Sequence, residues 1–273
     1  MEYLSNILHY TKNLIIFGGG LFLATAGYLY YNQDNMIYVP DIIGNGSKNL
    51  NENPAFYKTP SEHDLLFKDL NIKSDNLNLF GWLVYENEVL IKNRITIVFF
   101  HENAGNIGMR LPFISSLVKN LNINFIIVGY RGYGPSEGRP SEQGIKNDSL
   151  AILKYVFNDL SNMLNTNNIF LMGRSLGGAA AIYAQAKEKF PLRGLIIENT
   201  FLSIGDLVDT LFPIMKYIKN LLIRNHWETK YIIHKIKEPI LFIMAEKDEL
   251  VPHTHMLELV KLSTGNSKYI ESY

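Results

Sequence analysis

The sequence predicts an α/β fold in which a mostly parallel central sheet carries helices on both faces. Three observations predict it. Short apolar runs alternate with helix-patterned stretches from about Asp64 onward. Two of the runs, ITIVFF (95–100) and PILFIMA (239–245), are apolar throughout, as strands buried on both faces are. A third, NIFLM (168–172), leads directly into Gly-Arg-Ser-Leu-Gly and a stretch of small residues.

Taken in order, the chain opens on an apolar segment. No charged residue occurs from Asn13 to Gln33, and LIIFGGGLFLATAGYLYY lies inside that window. A bilayer-spanning helix needs roughly 17 to 25 apolar residues, and this segment reaches that length. Tyr28, Tyr30 and Tyr31 sit at one end, where interfacial aromatic residues gather. The expectation is a single transmembrane helix over about 14–32, in an N-terminal segment 1–33, followed by one domain, 34–273. A cleaved signal peptide, with Ala24-Thr25-Ala26 as its small-residue site, and a buried core helix are the competing readings. Only Lys12 and the amino terminus precede the span, so the charge bias leans weakly toward a lumenal or extracellular domain. Asn45-Gly46-Ser47 and Asn147-Asp148-Ser149 would then be glycosylation sequons.

The stretch through Tyr57 reads as polar and loop-like. Beyond it, strands are expected at Leu79–Tyr85, Ile95–Phe100, Phe125–Val128, Ile169–Met172, Leu195–Glu198 and Pro239–Ala245, with the start of a last strand at Lys268–Ser272. Helical spacing covers Ile107–Lys119, about Glu142–Leu160 behind Ser141 as N-cap, Leu176–Lys187 and His253–Leu262.

Composition narrows the function. The chain of 273 residues is 47% hydrophobic, with 26 basic and 26 acidic residues and no cysteine. Zero net charge and scattered basic residues give no footprint for nucleic acid. The absence of cysteine excludes disulfides, thiolate catalysis and cysteine-ligated zinc.

Gly173-Arg174-Ser175-Leu176-Gly177 matches G-x-S-x-G between a buried strand and a helix of small residues. That context is a nucleophile elbow, which strains the serine backbone and lifts its oxygen clear of the sheet. The fold expected is thus the α/β-hydrolase fold, with Ser175 as nucleophile. Gly173 and Gly177 are required because side chains there would collide with the neighbouring strand and helix. Oxyanion donors are expected from the backbone N–H of Leu176 and, in the loop HENAGN after the ITIVFF strand, that of Asn103. His101 in that loop reads as a turn-shaping residue rather than the base.

The acid should follow a later strand, and Asp248 sits just past PILFIMA, with Glu246 and Glu198 as rivals. A histidine should come after the next strand, but the given sequence ends at Tyr273. His253 and His255 lie close to Asp248 and far from Ser175 in the expected layout. His226 and His234 precede the acid in a helical cap region and read as surface or structural.

The runs HENAGNIGMRLP, YRGYGPSEGRPSEQGIKND, IFLMGRSLGGAAAIYA, IENTFLSI and KDELVP closely resemble the Bem-type (bud-emergence) membrane-anchored α/β-hydrolase-domain proteins. QDNMIYVP resembles the start of their shared region. The resemblance spans roughly positions 28 to 273. It implies one N-terminal membrane helix and a serine-hydrolase domain whose nucleophile and acid motifs fall on Ser175 and Asp248. It also implies a Pro-Asp-Gly-Thr-His segment after the last strand, its histidine about five residues beyond Tyr273. On that basis the C-terminal end is expected to be truncated, with the closing helix of the fold beyond it. Glu102 stands where many relatives have glycine.

The expected activity is serine hydrolysis of ester or thioester acyl substrates, lipid-like or acylated protein, without metal or organic cofactor. Two alternatives are a catalytically inactive, membrane-tethered interaction protein and a serine peptidase of similar fold.

Overall fold

A computed structural model of the chain describes residues 2–42, 48–248 and 250–272; the side chains of 2–8, 11, 15, 271 and 272 are not among those described. Helix α1 (Glu2–Tyr31) is followed by the short helix α2 (Gln33–Ile37). Strands β1 (Leu66–Ser74), β2 (Leu77–Tyr85) and β3 (Thr96–Phe100) precede helix α3 (Leu111–Leu121) and β4 (Asn124–Val128). Then come α4 (Glu142–Asn158), β5 (Ile169–Arg174), α5 (Leu176–Glu188) and β6 (Gly194–Glu198). Helices α6 (Ile204–Leu211) and α7 (Lys219–Leu222) lie in the segment before β7 (Ile240–Ala245), and α8 (His253–Leu262) precedes β8 (Ser267–Ser272).

The eight strands form one sheet in the order β1-β2-β4-β3-β5-β6-β7-β8. The pairs β1–β2 and β2–β4 are antiparallel and all others are parallel. Parallel strands need crossovers, and the helices supply them on both faces. Strand periodicity divides the core accordingly. Val98, Phe100, Ile126 and Val128 pack with α4 and α5, whereas Ile97, Phe99, Phe125 and Ile127 pack with α3. Past α3 on its face, Phe170, Ile196, Leu241 and Ile243 are only half-buried, while Ile197, Phe242 and Met244 on the other face are fully buried.

The structure adds to the expectations at two places and corrects them at a third. The sequence leaves β1 unseen, because LFKDLNIKS pairs only along β2 and buries alternate residues only from Leu70 onward. The stretch read as loop-like after the apolar segment is docked. Buried Tyr38 donates its hydroxyl to Asn225 Oδ1 at 2.8 Å and accepts from Trp227 Nε1 at 2.9 Å. The Asn147 sequon lies inside α4. Its Asn147 Nδ2 donates to Asp75, and Asp148 and Ser149 are fully buried, so no glycan acceptor is presented there. Asn45 lies outside the described residues.

Helix α1 contains a 20-residue window, Lys12–Tyr31, long and apolar enough to cross a membrane. None of that window is buried, and Leu14, Phe17 and Leu23 are exposed, which opposes the core-helix reading.

Candidate active site

Ser175 joins β5 to α5 with φ +52° and ψ −119°. A non-glycine residue held there stores on the order of 1–3 kcal/mol of strain, and such strain concentrates at functional sites. The surroundings hold it in place. The Ser175 N–H donates to the Glu198 carbonyl of β6 at 2.9 Å. Its own carbonyl accepts from Gly178 N–H at 2.9 Å and from the Thr200 hydroxyl at 2.7 Å.

The glycines of the motif are set by close approach. A Cβ on Gly177 would lie 1.9 Å from the Phe100 carbonyl oxygen, and one on Gly173 would lie 2.3 Å from that of Gly177. Both obstacles are backbone and cannot swing away. The expected collision with strand and helix is thus present at both positions. Gly178 was not anticipated; a Cβ there would meet Thr200 Cβ at 2.6 Å. The Leu176 N–H heads α5, where helix N–H groups have no intrahelical acceptor and the helix dipole favours negative charge.

The loop after β3 lies against the elbow, since the Gly177 approach is to Phe100 and His101 backbone. His101 is fully buried. Its Nδ1 pairs with the Glu102 carbonyl at 2.7 Å, and its ring lies 4.3 Å from that of Tyr130. Burial, helped by the nearby Arg110 cation, pushes its pKa down to about 3, so the ring is neutral. This fits a turn-shaping residue. Arg110 is itself buried, pairs with Glu102 at 3.1 Å and donates to the Asn106 carbonyl at 3.0 Å, clamping the loop. Glu102 therefore has a partner of its own.

Asn103 carries a further connection that the sequence did not reveal. Its Oδ1 accepts from the Tyr133 hydroxyl at 2.6 Å and from Val39 N–H at 3.2 Å, and its Nδ2 donates to the Ile37 carbonyl. The side chain thus ties the segment after α2 to the loop after β3. QDNMIYVP is the only signal that could have pointed there.

Asp248 follows β7, two strands from β5 at the same end of the sheet. Its Oδ1 accepts from Leu250 and Val251 N–H, each at 2.9 Å, which shapes the turn into α8. Asn199 joins the two loops: its N–H donates to Ile243 O at 3.0 Å, and its Oδ1 accepts from Ala245 N–H at 2.8 Å. The two rival carboxylates also lie at strand ends. Glu198 pairs with Arg174 at 2.9 Å, and Glu246 is exposed. His255 is buried and faces the α6 side, receiving Leu202 N–H at 3.3 Å and lying 3.3 Å from Thr210 Oγ1. His226 and His234 are exposed. Among the described residues, no His, Asp or Glu cluster could hold a metal ion.

Residues 91–231 match the family described as serine aminopeptidase, S33. The chain is 36% identical to protein bem46 of Schizosaccharomyces pombe, covering 92% of this chain and 81% of that one. It is 34% identical to the α/β hydrolase domain-containing protein WAV2 of Arabidopsis thaliana, covering 90% and 80%. An uncharacterized membrane protein of Saccharomyces cerevisiae is 32% identical, covering 93% and 87%. Among solved structures, the Pyrococcus furiosus esterase Pf2001 superposes with TM-score 0.64 at 19% identity, covering 86% of this chain and 88% of that one. Est1E from Butyrivibrio proteoclasticus, with ferulic acid bound, has TM-score 0.60 at 17% identity, covering 74% and 88%. These two likenesses concern the fold. A matched family model across half the chain, together with close relatives across most of it, establishes that the chain belongs to the α/β-hydrolase family described as serine aminopeptidase, S33, among the Bem46-type proteins.

Proposed function

We propose that the protein is a membrane-anchored serine hydrolase of acyl esters or thioesters. The observation that carries this reading is the backbone of Ser175, strained at φ +52° on a turn between β5 and α5, at the sheet end that also carries Asp248. In the proposed reaction, Ser175 Oγ attacks the substrate carbonyl and loses its proton to a histidine. The oxyanion is held by the N–H groups of Leu176 and Asn103. The histidine passes its proton to the leaving alcohol or thiol, and water then releases the acid by the same route. Asp248 orients the histidine and stabilises its cation. That histidine belongs after β8, the position implied by the family resemblance. His101 is too buried and too weakly basic for the role, and His255 is directed elsewhere.

The apolar window of α1 and the label of the yeast relative support a single membrane span. An anchor would hold the site near lipid-like or acylated-protein substrates. The description of the matched family favours peptidase activity as a second reading.

Matched nitrophenyl esters and anilides, assayed with the full-length gene product, test both readings. Faster ester turnover, with Ser175→Ala lowering kcat by about 10⁴- to 10⁶-fold, supports the proposal. Turnover unchanged in Ser175→Ala removes it, and preference for the anilide favours the peptidase.

A further inference from the structure

The end of α1 and the segment between β6 and β7 are locked together. Gln33 Oε1 accepts from the N–H groups of Arg224 and Asn225 at 2.7 and 2.6 Å, and Gln33 Nε2 donates to the Leu222 carbonyl at 2.9 Å. Asp34 pairs with Arg224 and accepts from Asn225 Nδ2 at 2.8 Å. The apolar helix therefore stops two residues short of a clamp on residues 222–225.

Beside this clamp the same segment turns apolar side chains outward. Phe212 is 59% exposed, Ile214 83%, Tyr217 90% and Leu221 66%. A group of large apolar residues facing water marks a contact surface. Exposed Lys216 lies among them. Between the segment and the helix end runs a groove of about 370 Å³, lined by Leu29, Met36, Val208, Phe212 and Met215 among others. Leu29 belongs to α1, so apolar surface is continuous from the membrane-span window to the segment.

We propose that residues 211–221 form a second membrane contact, seated on the lipid surface where α1 emerges. Phe212, Ile214, Tyr217 and Leu221 enter the boundary between headgroups and acyl chains, and the groove takes up an acyl chain of a phospholipid. The inference rests on reading α1 as a membrane span. Tyr28, Tyr30 and Tyr31 put the helix end at the level where tyrosines sit in bilayers, and Phe212 and Met215 of the segment line one groove with Leu29 of that helix end. Segments with an apolar face and flanking lysine lie in this interface plane. The segment leaves the sheet at the end that carries Ser175, so the contact orients that end toward the membrane. A second copy of the chain is the competing occupant. The clamp favours lipid, because its bonds lie within one chain and join the segment to the end of the apolar helix without a partner.

The chain has no cysteine, so single-cysteine variants can be spin-labelled cleanly. Ile214→Cys and Tyr217→Cys sample the patch, Phe17→Cys the span in α1, and Val89→Cys, 86% exposed in the 3-10 turn Glu88–Asn93, a separate site. The full chain is placed, one copy per disc, in nanodiscs of phosphatidylcholine and phosphatidylserine. Power saturation then compares access of oxygen and of a nickel chelate. The expected result is loss of nickel access at 17, 214 and 217 and full access at 89. Labels at 214 and 217 as open to nickel as that at 89, with 17 in lipid, overturn the docking contact and leave the span intact. Label 17 in water overturns both. Shielding of 214 and 217 only in discs holding two chains assigns the face to self-association and also overturns the proposal.

Discussion

The hydroxyl of the buried Thr200 donates to the carbonyl oxygen of Ser175 at 2.7 Å, joining the loop after β6 to the start of α5. That carbonyl also accepts from the first turn of the helix, so Thr200 supplies a second bond that stiffens the strained residue. Thr200→Val preserves the shape and removes the donor. A typical buried hydrogen bond contributes about 1 kcal/mol, so the expected fall in Tm is about 2–4 °C. Scanning calorimetry checks it, and Thr200→Ser should recover most of the loss.

Gly177→Ala puts a methyl group 1.9 Å from the Phe100 carbonyl oxygen, and neither backbone can yield without breaking the β3 loop or the elbow. Overpacking of this kind costs typically about 1–3 kcal/mol where side chains can adjust, and more where backbone must move. The expected outcome is a Tm drop of about 5 °C or more with loss of hydrolysis. Gly18→Ala meets nothing within 4 Å and should change neither. Parallel thermal melts of the two variants make the comparison.

His101 links stability to pH. Burial, the larger cause, and Arg110 hold its folded pKa at about 3, whereas an unfolded histidine titrates near its ordinary value of 6.5. The folded state therefore resists a proton that the unfolded state accepts. Stability is greatest above pH 6.5 and falls as pH drops from there toward 3. Between pH 8 and pH 5 this residue alone should remove about 2 kcal/mol. Urea denaturation at the two pH values measures the loss, and His101→Gln should show a correspondingly smaller difference. His255, whose pKa burial also lowers, adds a change of the same sign that His101→Gln leaves in place.

Much of the sheet was legible because its parallel strands are short, almost wholly apolar runs, buried on both faces in β3 and β4 and on alternate residues in β7. IVFF and ILFIMA have no polar interruption, and the elbow adds a motif with a steric reason for each of its glycines. Helix α8 matched its expected bounds because Pro252 marks its start. What could not be read depends on contacts distant in sequence. Leu66–Ser74 carries Lys68, Asp69 and Lys73 and looks like a loop until β2 pairs with it. The helical spacing expected from Ile107 splits into a 3-10 turn at Ile107–Arg110 and α3, where Pro112 lacks the N–H needed to continue a helix from before. Tyr38 is one buried residue in a polar stretch, and no periodicity marks it. At the candidate site, the expectation of Ser175 and Asp248 rested on strand ends, while Thr200 and the reach of Asn103 to Ile37 and Val39 depend on the folded arrangement of three separate loops.

The central claim is that Ser175 is a reactive nucleophile. Treating the folded, full-length protein with a fluorophosphonate and mapping the adduct by peptide mass spectrometry tests it most directly. The account predicts one phosphonylated peptide, modified at Ser175 and absent from Ser175→Ala. An unmodified Ser175 in the folded protein, or an adduct that persists in Ser175→Ala, would contradict it.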